Sequence, residues 1–193
     1  MSPAEELLAF ADGRRFGTVY ADPPWPSRSQ QSATKVDWIN KRMRPHYGTL
    51  SADQLRSLPV SELALPDAAL ILWTTWMHLA LALECVTAWG FRYATGMPWL
   101  KVAKGGQPIF GPGVWFQHCT ELLLVTRRGQ PRFGGFGNPR PARKGIIIAP
   151  RGEHSQKPEE AAQWIERVGF PEPQVELFAR QSRPGWAAWG DEL

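Results

Sequence analysis

A chain of 193 residues with 43% hydrophobic content and ten tryptophans has the size of one domain and can build a core without staples. Its apolar runs break well short of the ~20 residues that a bilayer span needs, and its acidic start, Met1 to Glu6, lacks the basic opening of a signal peptide. Cys85 and Cys119 sit in apolar contexts without metal-like spacing, so the expectation is a cytoplasmic protein with buried free thiols, no membrane segment and no metal.

Residues 1–14 read as a short helix or arm. Phe16 to Ala21 is an apolar run with the length of a buried strand. The prolines of Asp22-Pro23-Pro24-Trp25 stop it, because proline neither donates to a ladder nor enters a helix interior. A long loop to about Pro45 follows, then Tyr47-Gly48-Thr49-Leu50. Ser51-Ala52-Asp53-Gln54 has the form of a capping box and predicts a short helix to about Leu58. Ala68 to Trp73 is continuously apolar, as in a strand buried on both faces. Met77 to Trp89 is apolar on nearly every side and stops at Gly90, which predicts a buried helix covering a sheet.

Strands are predicted over Phe91 to Lys101 and within Gln117 to Thr126, with a Gly/Pro loop between them. After a basic stretch come the run Ile146-Ile147-Ile148 and a helix whose first position suits Pro158, running to Val168 and closed by Gly169. Gln174 to Ala179 is the last strong strand, and Trp186 to Trp189 adds an edge. Strands alternating with helices predict a doubly wound α/β sheet in a single domain, 1–193.

The chemistry concentrates at Asp22. It follows a strand, and open α/β sheets bind ligands at the carboxyl ends of their strands. The prolines lock backbone carbonyls beside a carboxylate and a large flat aromatic. That set suits a planar base stacked on Trp25, its exocyclic amine donating to Asp22 and to a proline carbonyl. The same four residues also fit a plain turn with Trp25 in the core, so the rest of the chain has to decide.

Charge supplies a second signal. Residues 122–152 hold seven bases and no acid, and residues 28–44 hold five bases against Asp37. The two segments carry +11, so the remainder is −7 within a total of +4. Both are rich in polar residues, Gly or Pro, and read as basic loops on an acidic body. Such loops track a phosphate backbone, or else are simply solvated.

No Gly-rich nucleotide fingerprint is present. Instead, Asp22-Pro23-Pro24-Trp25 is followed by Tyr47-Gly48-Thr49, His154-Ser155-Gln156-Lys157-Pro158 and Glu176-Leu177-Phe178-Ala179-Arg180. Behind the last lie Arg183-Pro184-Gly185-Trp186 and Gly190-Asp191-Glu192. In this order, from about Phe16 onward, the chain resembles the N6-adenine methyltransferases named after the seventy-kilodalton subunit of the mRNA adenosine methyltransferase, especially their short bacterial and phage members. The resemblance implies a Rossmann-like fold, circularly permuted so that the catalytic strand precedes the cofactor strand, and S-adenosylmethionine as methyl donor. It makes Asp22, Pro23, Pro24 and Trp25 the catalytic motif. Asp22, Lys157, Phe178, Arg180 and Ser182 would lie against the cofactor, and Asp191 and Glu192 would meet its ribose hydroxyls. Trp25, Tyr47 and Lys101 would face the nucleic acid, and the charge of the two basic loops adds Arg42, Arg44, Arg140, Arg143 and Lys144 to that contact. DNA is favoured over RNA because the nearest-looking relatives are bacterial and phage proteins, and a monomer or homodimer is expected. Asp191 stands where family members commonly carry Asn, and a carboxylate accepts ribose hydrogen bonds at least as well. The connection after the arginine is shorter here than in the mRNA enzymes.

Read residue by residue, Lys157 is an ordinary exposed lysine, whereas Arg180 ends an apolar strand and needs a partner. Lys101 faces either nucleic acid or solvent. His118 and Glu121 read as mixed residues of one strand rather than as a metal or acid/base pair. Two rivals stand beside the enzyme. A catalytically inactive nucleic-acid-binding subunit would typically have lost the Asp-Pro-Pro-Trp residues. An enzyme for protein amides would carry Asn and Tyr in place of Asp22 and Trp25.

Overall fold

Phe16–Ala21 (β1) is the central strand, and all six of its residues are buried. Its alternate side chains enter different cores. Val19 and Ala21 pack on one face of the sheet and Tyr20 on the other, as the period of two in a strand requires. A computed structural model of the chain describes residues 1–26, 50–111, 115–133, 145–152, 156–190 and 193.

Around β1 the sheet is completed by Ala64–Thr74 (β2), Arg92–Val102 (β3), Thr120–Arg128 (β4), Ile147–Pro150 (β5), Gln174–Leu177 (β6) and Trp186–Trp189 (β7). The spatial order is β5-β3-β4-β2-β1-β6-β7. β1 pairs in parallel with both β2 and β6, with Tyr20 opposite Ile71 and Glu176. β4 is antiparallel to β2 and to β3, while β3–β5 and β6–β7 are parallel. Six described strands therefore run one way and β4 runs the other. The sheet has the α/β class expected from the sequence, with one strand reversed. The apolar run Glu121-Leu122-Leu123-Leu124-Val125 reads alike in either direction, so only its pairing reveals its polarity.

Helices cover both faces. Pro3–Ala11 (α1), Ala52–Ser57 (α2), Val60–Leu63 (α3) and Leu79–Ala88 (α4) supply Leu7, Leu55, Val60, Cys85 and Val86 to one core, together with Trp89 just after α4. Glu159–Val168 (α5) supplies Ala161, Ile165 and Val168 to the other. The capping box at Ser51 forms as expected, and a second one, Ser2 with Glu5, starts α1.

Three details depart from the sequence reading. The Met77–Trp89 helix begins later, after a 3₁₀ turn at Trp76–His78, and buries only Ala82, Cys85 and Val86 of its ten residues. Pro158 is the N-cap of α5 rather than its first residue, and Gly169 closes the helix with φ of 67°. Cys85 is buried but Cys119 only partly so, and both are free thiols. No described helix is long and apolar enough to cross a membrane.

Candidate active site

The strand directions gather the chemistry at one edge of the sheet. Asp22 leaves the carboxyl end of β1, Trp73 and Thr74 close β2, Lys101 lies near the end of β3 and Arg180 follows β6. Because β4 is reversed, its beginning, not its end, reaches the same edge and delivers Glu121.

Asp22, Glu121 and Lys101 join Lys157 in an alternating chain of charge. Lys157, just ahead of α5, places Nζ 2.8 Å from Asp22 Oδ2 and 3.2 Å from Glu121 Oε2. Lys101 holds the other Glu121 oxygen. The four side chains are only 13–23% exposed, so each charge needs its neighbour. The Lys157 ammonium also lies 5.7 Å from the Trp73 ring centroid, and Lys101 lies 5.1 Å from that of Trp99.

Burial pushes the Asp22 carboxyl above the usual carboxylate range; Lys157 and Arg180 oppose the rise and Glu121 adds to it. Glu121 moves the other way: burial would raise it, but Lys157 and Lys101 outweigh that and hold it low. Burial works against the charge on Lys157, and Asp22 and Glu121 overcome it, so its ammonium is held above the ordinary lysine range. Asp22 is therefore the more basic of the two carboxylates.

Trp25 is tied into the wall. Its indole N–H donates to the Trp73 carbonyl at 3.2 Å, and its ring stacks on His78 at 5.8 Å and 12°. His78 Nε2 lies 3.0 Å from the Pro26 carbonyl, which can only accept; in the neutral ring Nδ1 then accepts from the Thr75 hydroxyl at 2.9 Å. The Trp25 N–H donates to the Pro23 carbonyl at 2.8 Å, and Leu50 N–H to the Pro24 carbonyl at 3.3 Å. Each carbonyl retains a second lone pair.

Next to β1, the end of β6 is folded tightly. Phe178 adopts a left-handed backbone, φ 61°, which costs a non-glycine residue about 1–3 kcal/mol and is a mark of constrained sites. The Ala179 N–H donates to the Trp189 carbonyl at 2.9 Å. A Cβ on Gly190 would lie 2.1 Å from the Ala179 carbonyl oxygen, so only glycine fits there. Arg183 pairs with Glu159 at the start of α5 and lies 3.7 Å from Glu176, too far for a hydrogen bond. That leaves Glu176 Oε2 and Arg183 Nε buried without hydrogen-bond partners among the described residues. Burial raises the Glu176 carboxyl, with Arg183 opposing and Asp22 adding.

The structure thus brings together Asp22, Trp25, Lys157 and Lys101, with Arg180 close enough to act on the Asp22 charge. Phe178 packs on Trp189, with ring centroids 5.3 Å apart, and Ser182 is exposed. Lys101 is bound to Glu121 rather than free to face a partner. Lys157 is no ordinary exposed lysine, and Glu121 joins the site although the sequence reading gives it no such role. Its one sequence signal is that of a carboxylate heading an apolar strand. Arg42, Arg44, Tyr47, Arg140, Arg143, Lys144, Asp191 and Glu192 lie outside the described residues. Among the described residues no group of three or more His, Cys, Asp or Glu could hold a metal.

Comparison with known proteins gives this edge a context. The chain is 28% identical over 207 residues to the type II methyltransferase M.MunI of a Mycoplasma species, covering all of this chain and 84% of that one. It is 31% identical over 183 residues to the human N(6)-adenosine-methyltransferase catalytic subunit METTL3, covering 93% of this chain and 28% of the relative. It is also 28% identical over 192 residues to the N6-methyladenosine RNA methyltransferase MTA1 of the fungus Cryphonectria parasitica, covering 95% and 53%. The chain thus spans most of the first relative and about half or less of the other two. The MT-A70 family model matches residues 16–192. The chain belongs to the MT-A70 family.

Proposed function

We propose that the protein transfers a methyl group from S-adenosylmethionine to the N6 amine of adenine in nucleic acid, DNA in preference to RNA. The observation that carries the reading is the half-buried Asp22, held by Lys157 at the end of β1, with Trp25 three residues on, in a chain of this family. The neighbourhood of β6 suits the donor molecule: Glu176 Oε2 is a buried acceptor in want of a hydrogen, and Lys157 and Arg180 supply cations for a carboxylate. Lys157, Phe178, Arg180 and Ser182, with Asp191 and Glu192, would hold it. The order of β1 and β6, adjacent in space with the catalytic strand first in sequence, supports a circularly permuted Rossmann-like arrangement.

When bound, the donor supplies an electrophilic methyl group whose departure leaves a neutral thioether. The work left to the protein is to make a weak nucleophile attack in line. An adenine amine shares its lone pair with the ring. Asp22 and the remaining lone pair of the Pro23 carbonyl accept its two hydrogens, favouring a more tetrahedral nitrogen with its lone pair free. Transfer would leave the donor as a neutral thioether, and Asp22 would take the proton that the methylated nitrogen sheds. No covalent enzyme intermediate is involved; the contribution is positioning and electrostatics. Burial raises the Asp22 carboxyl, which improves it as the acceptor. One face of Trp25 is taken by His78, so the base stacks against the other. A base stacked there is unpaired or flipped from a duplex.

The preference for DNA rests on the match over 84% of the length of a type II methyltransferase. The test is transfer of labelled methyl from S-adenosylmethionine to matched DNA and RNA oligonucleotides, comparing wild type with Asp22→Ala. We expect label on DNA adenine N6 and a loss of about two orders of magnitude or more in the variant. Label confined to RNA would reverse the polymer assignment. A folded Asp22→Ala protein within a few-fold of wild type would end the mechanism.

A further inference from the structure

The geometry points to Glu121 as a positioning residue: backed by Lys101, it shares and orients the Lys157 ammonium and so sets how freely Asp22 can receive the substrate amine. This rests on the adenine methyltransferase reading, and it assigns Glu121 and Lys101 a part in the reaction distinct from contact with substrate.

The argument starts from hydrogen-bond capacity. An ammonium carries three hydrogens in fixed tetrahedral directions. The structure aligns one with Asp22 at 2.8 Å and another with Glu121 at 3.2 Å. A lysine held by one carboxylate can rotate about that contact, but one held by two cannot, so its third hydrogen acquires a defined direction. Glu121 meets Lys157 through Oε2 and Lys101 through Oε1. With both oxygens engaged and its charge held by two cations, it is not placed to accept a substrate proton. Its influence must pass through Lys157.

That influence has a definite sign. A lysine divided between two carboxylates clamps Asp22 less firmly than a lysine devoted to it. Asp22 feels Lys157 from ahead of α5, Glu121 from β4 and Arg180 from beyond β6. Tyr20 of β1 and Glu176 of β6 in turn feel the Asp22 charge. Glu121 is a like charge that adds to the rise burial imposes on Asp22, and it shares a cation with it. Replacing Glu121 by glutamine removes that like charge and hands Lys157 wholly to Asp22, two effects of the same sign. Replacing Lys101 by methionine leaves Glu121 in place with its charge less compensated, an effect of the opposite sign.

The test is a carbon-13 NMR titration of the Asp22 carboxyl in the free protein, for wild type, Glu121→Gln and Lys101→Met. We expect the Asp22 midpoint to fall in Glu121→Gln and to rise in Lys101→Met. In methylation assays the acid limb of the rate profile should follow the Asp22 midpoint, and kcat of Glu121→Gln should fall by about tenfold or more, as for loss of one charged hydrogen bond. A purely structural role for Glu121 would lower activity without that paired, opposite displacement. An unmoved or raised midpoint in folded Glu121→Gln would overturn the inference. If that variant does not fold, an Asp22 midpoint that stays put or falls in Lys101→Met would overturn it. A wild-type protein that methylates no adenine would refute the function proposed above, while the titration still decides whether Glu121 governs Asp22.

Discussion

Replacing Lys157 by methionine tests the charge chain at its centre. The change keeps most of the side-chain length and removes the one cation shared by Asp22 and Glu121. At an effective dielectric of about 20, contacts of 2.8 and 3.2 Å are worth about 6 and about 5 kcal/mol of gross attraction. Desolvation of three mostly buried groups offsets most of that, and breaking a buried pair typically costs about 3–5 kcal/mol. Lys101 remains on Glu121 and Arg180 near Asp22, so we expect the low end, about 3 kcal/mol at about pH 8. The loss should be smaller at about pH 5. Without Lys157 both carboxylates lose a cation that lowers their proton affinity. Folded-state values raised above the unfolded ones penalise folding progressively as pH rises, and the penalty fades as the groups protonate on the way down. Wild type keeps the Glu121 contribution over the same window, because its depressed value places the loss at lower pH. Urea unfolding of both proteins at the two pH values measures this directly. A penalty equal at both, or absent at the higher one, would refute the reading of Lys157 as the shared counter-ion.

Three further outcomes are expected. S-adenosylmethionine should bind without nucleic acid, and Arg180→Ala should weaken it by about 1.5–3 kcal/mol in calorimetry. Gly190→Ala should cost about 1–3 kcal/mol in chemical unfolding and reduce donor binding as well, because its Cβ would drive into the backbone of Ala179, the residue before Arg180. Removing Arg140, Arg143 and Lys144 together should weaken nucleic-acid binding for all sequences alike, flattening the salt dependence seen by fluorescence anisotropy by roughly one log–log unit for each phosphate no longer neutralised.

What could be read from the sequence was what neighbouring residues decide. The Ser51 capping box, the buried run before Asp22 and the edge strand at Trp186 all depend on patterns a few residues long. The site depends on pairing across the chain. Lys157 looks like any lysine before a helix until β1 and β4 bring two carboxylates to it, 135 and 36 residues away in sequence. Glu121 is hidden by the same ambiguity that conceals the direction of β4. For the helix after β2, composition overstates burial: Met77 and Leu83 are apolar yet 58% and 37% exposed, because one face of a covering helix still meets water. The left-handed turn at Phe178 has no local signature, since an aromatic residue gains nothing by itself from positive φ.

The placement of β1 has a consequence during synthesis. Its two neighbours come from far apart in the chain: β2 begins at Ala64, but β6 begins only at Gln174. Until the last strands have left the ribosome, one side of β1 presents unpaired backbone along a segment whose side chains are all destined for the interior. Such an open edge invites pairing with another nascent copy. Fragments ending before Gln174 should therefore form aggregates seeded at Phe16–Ala21, and a helper that shields an extended apolar segment would matter most in that interval.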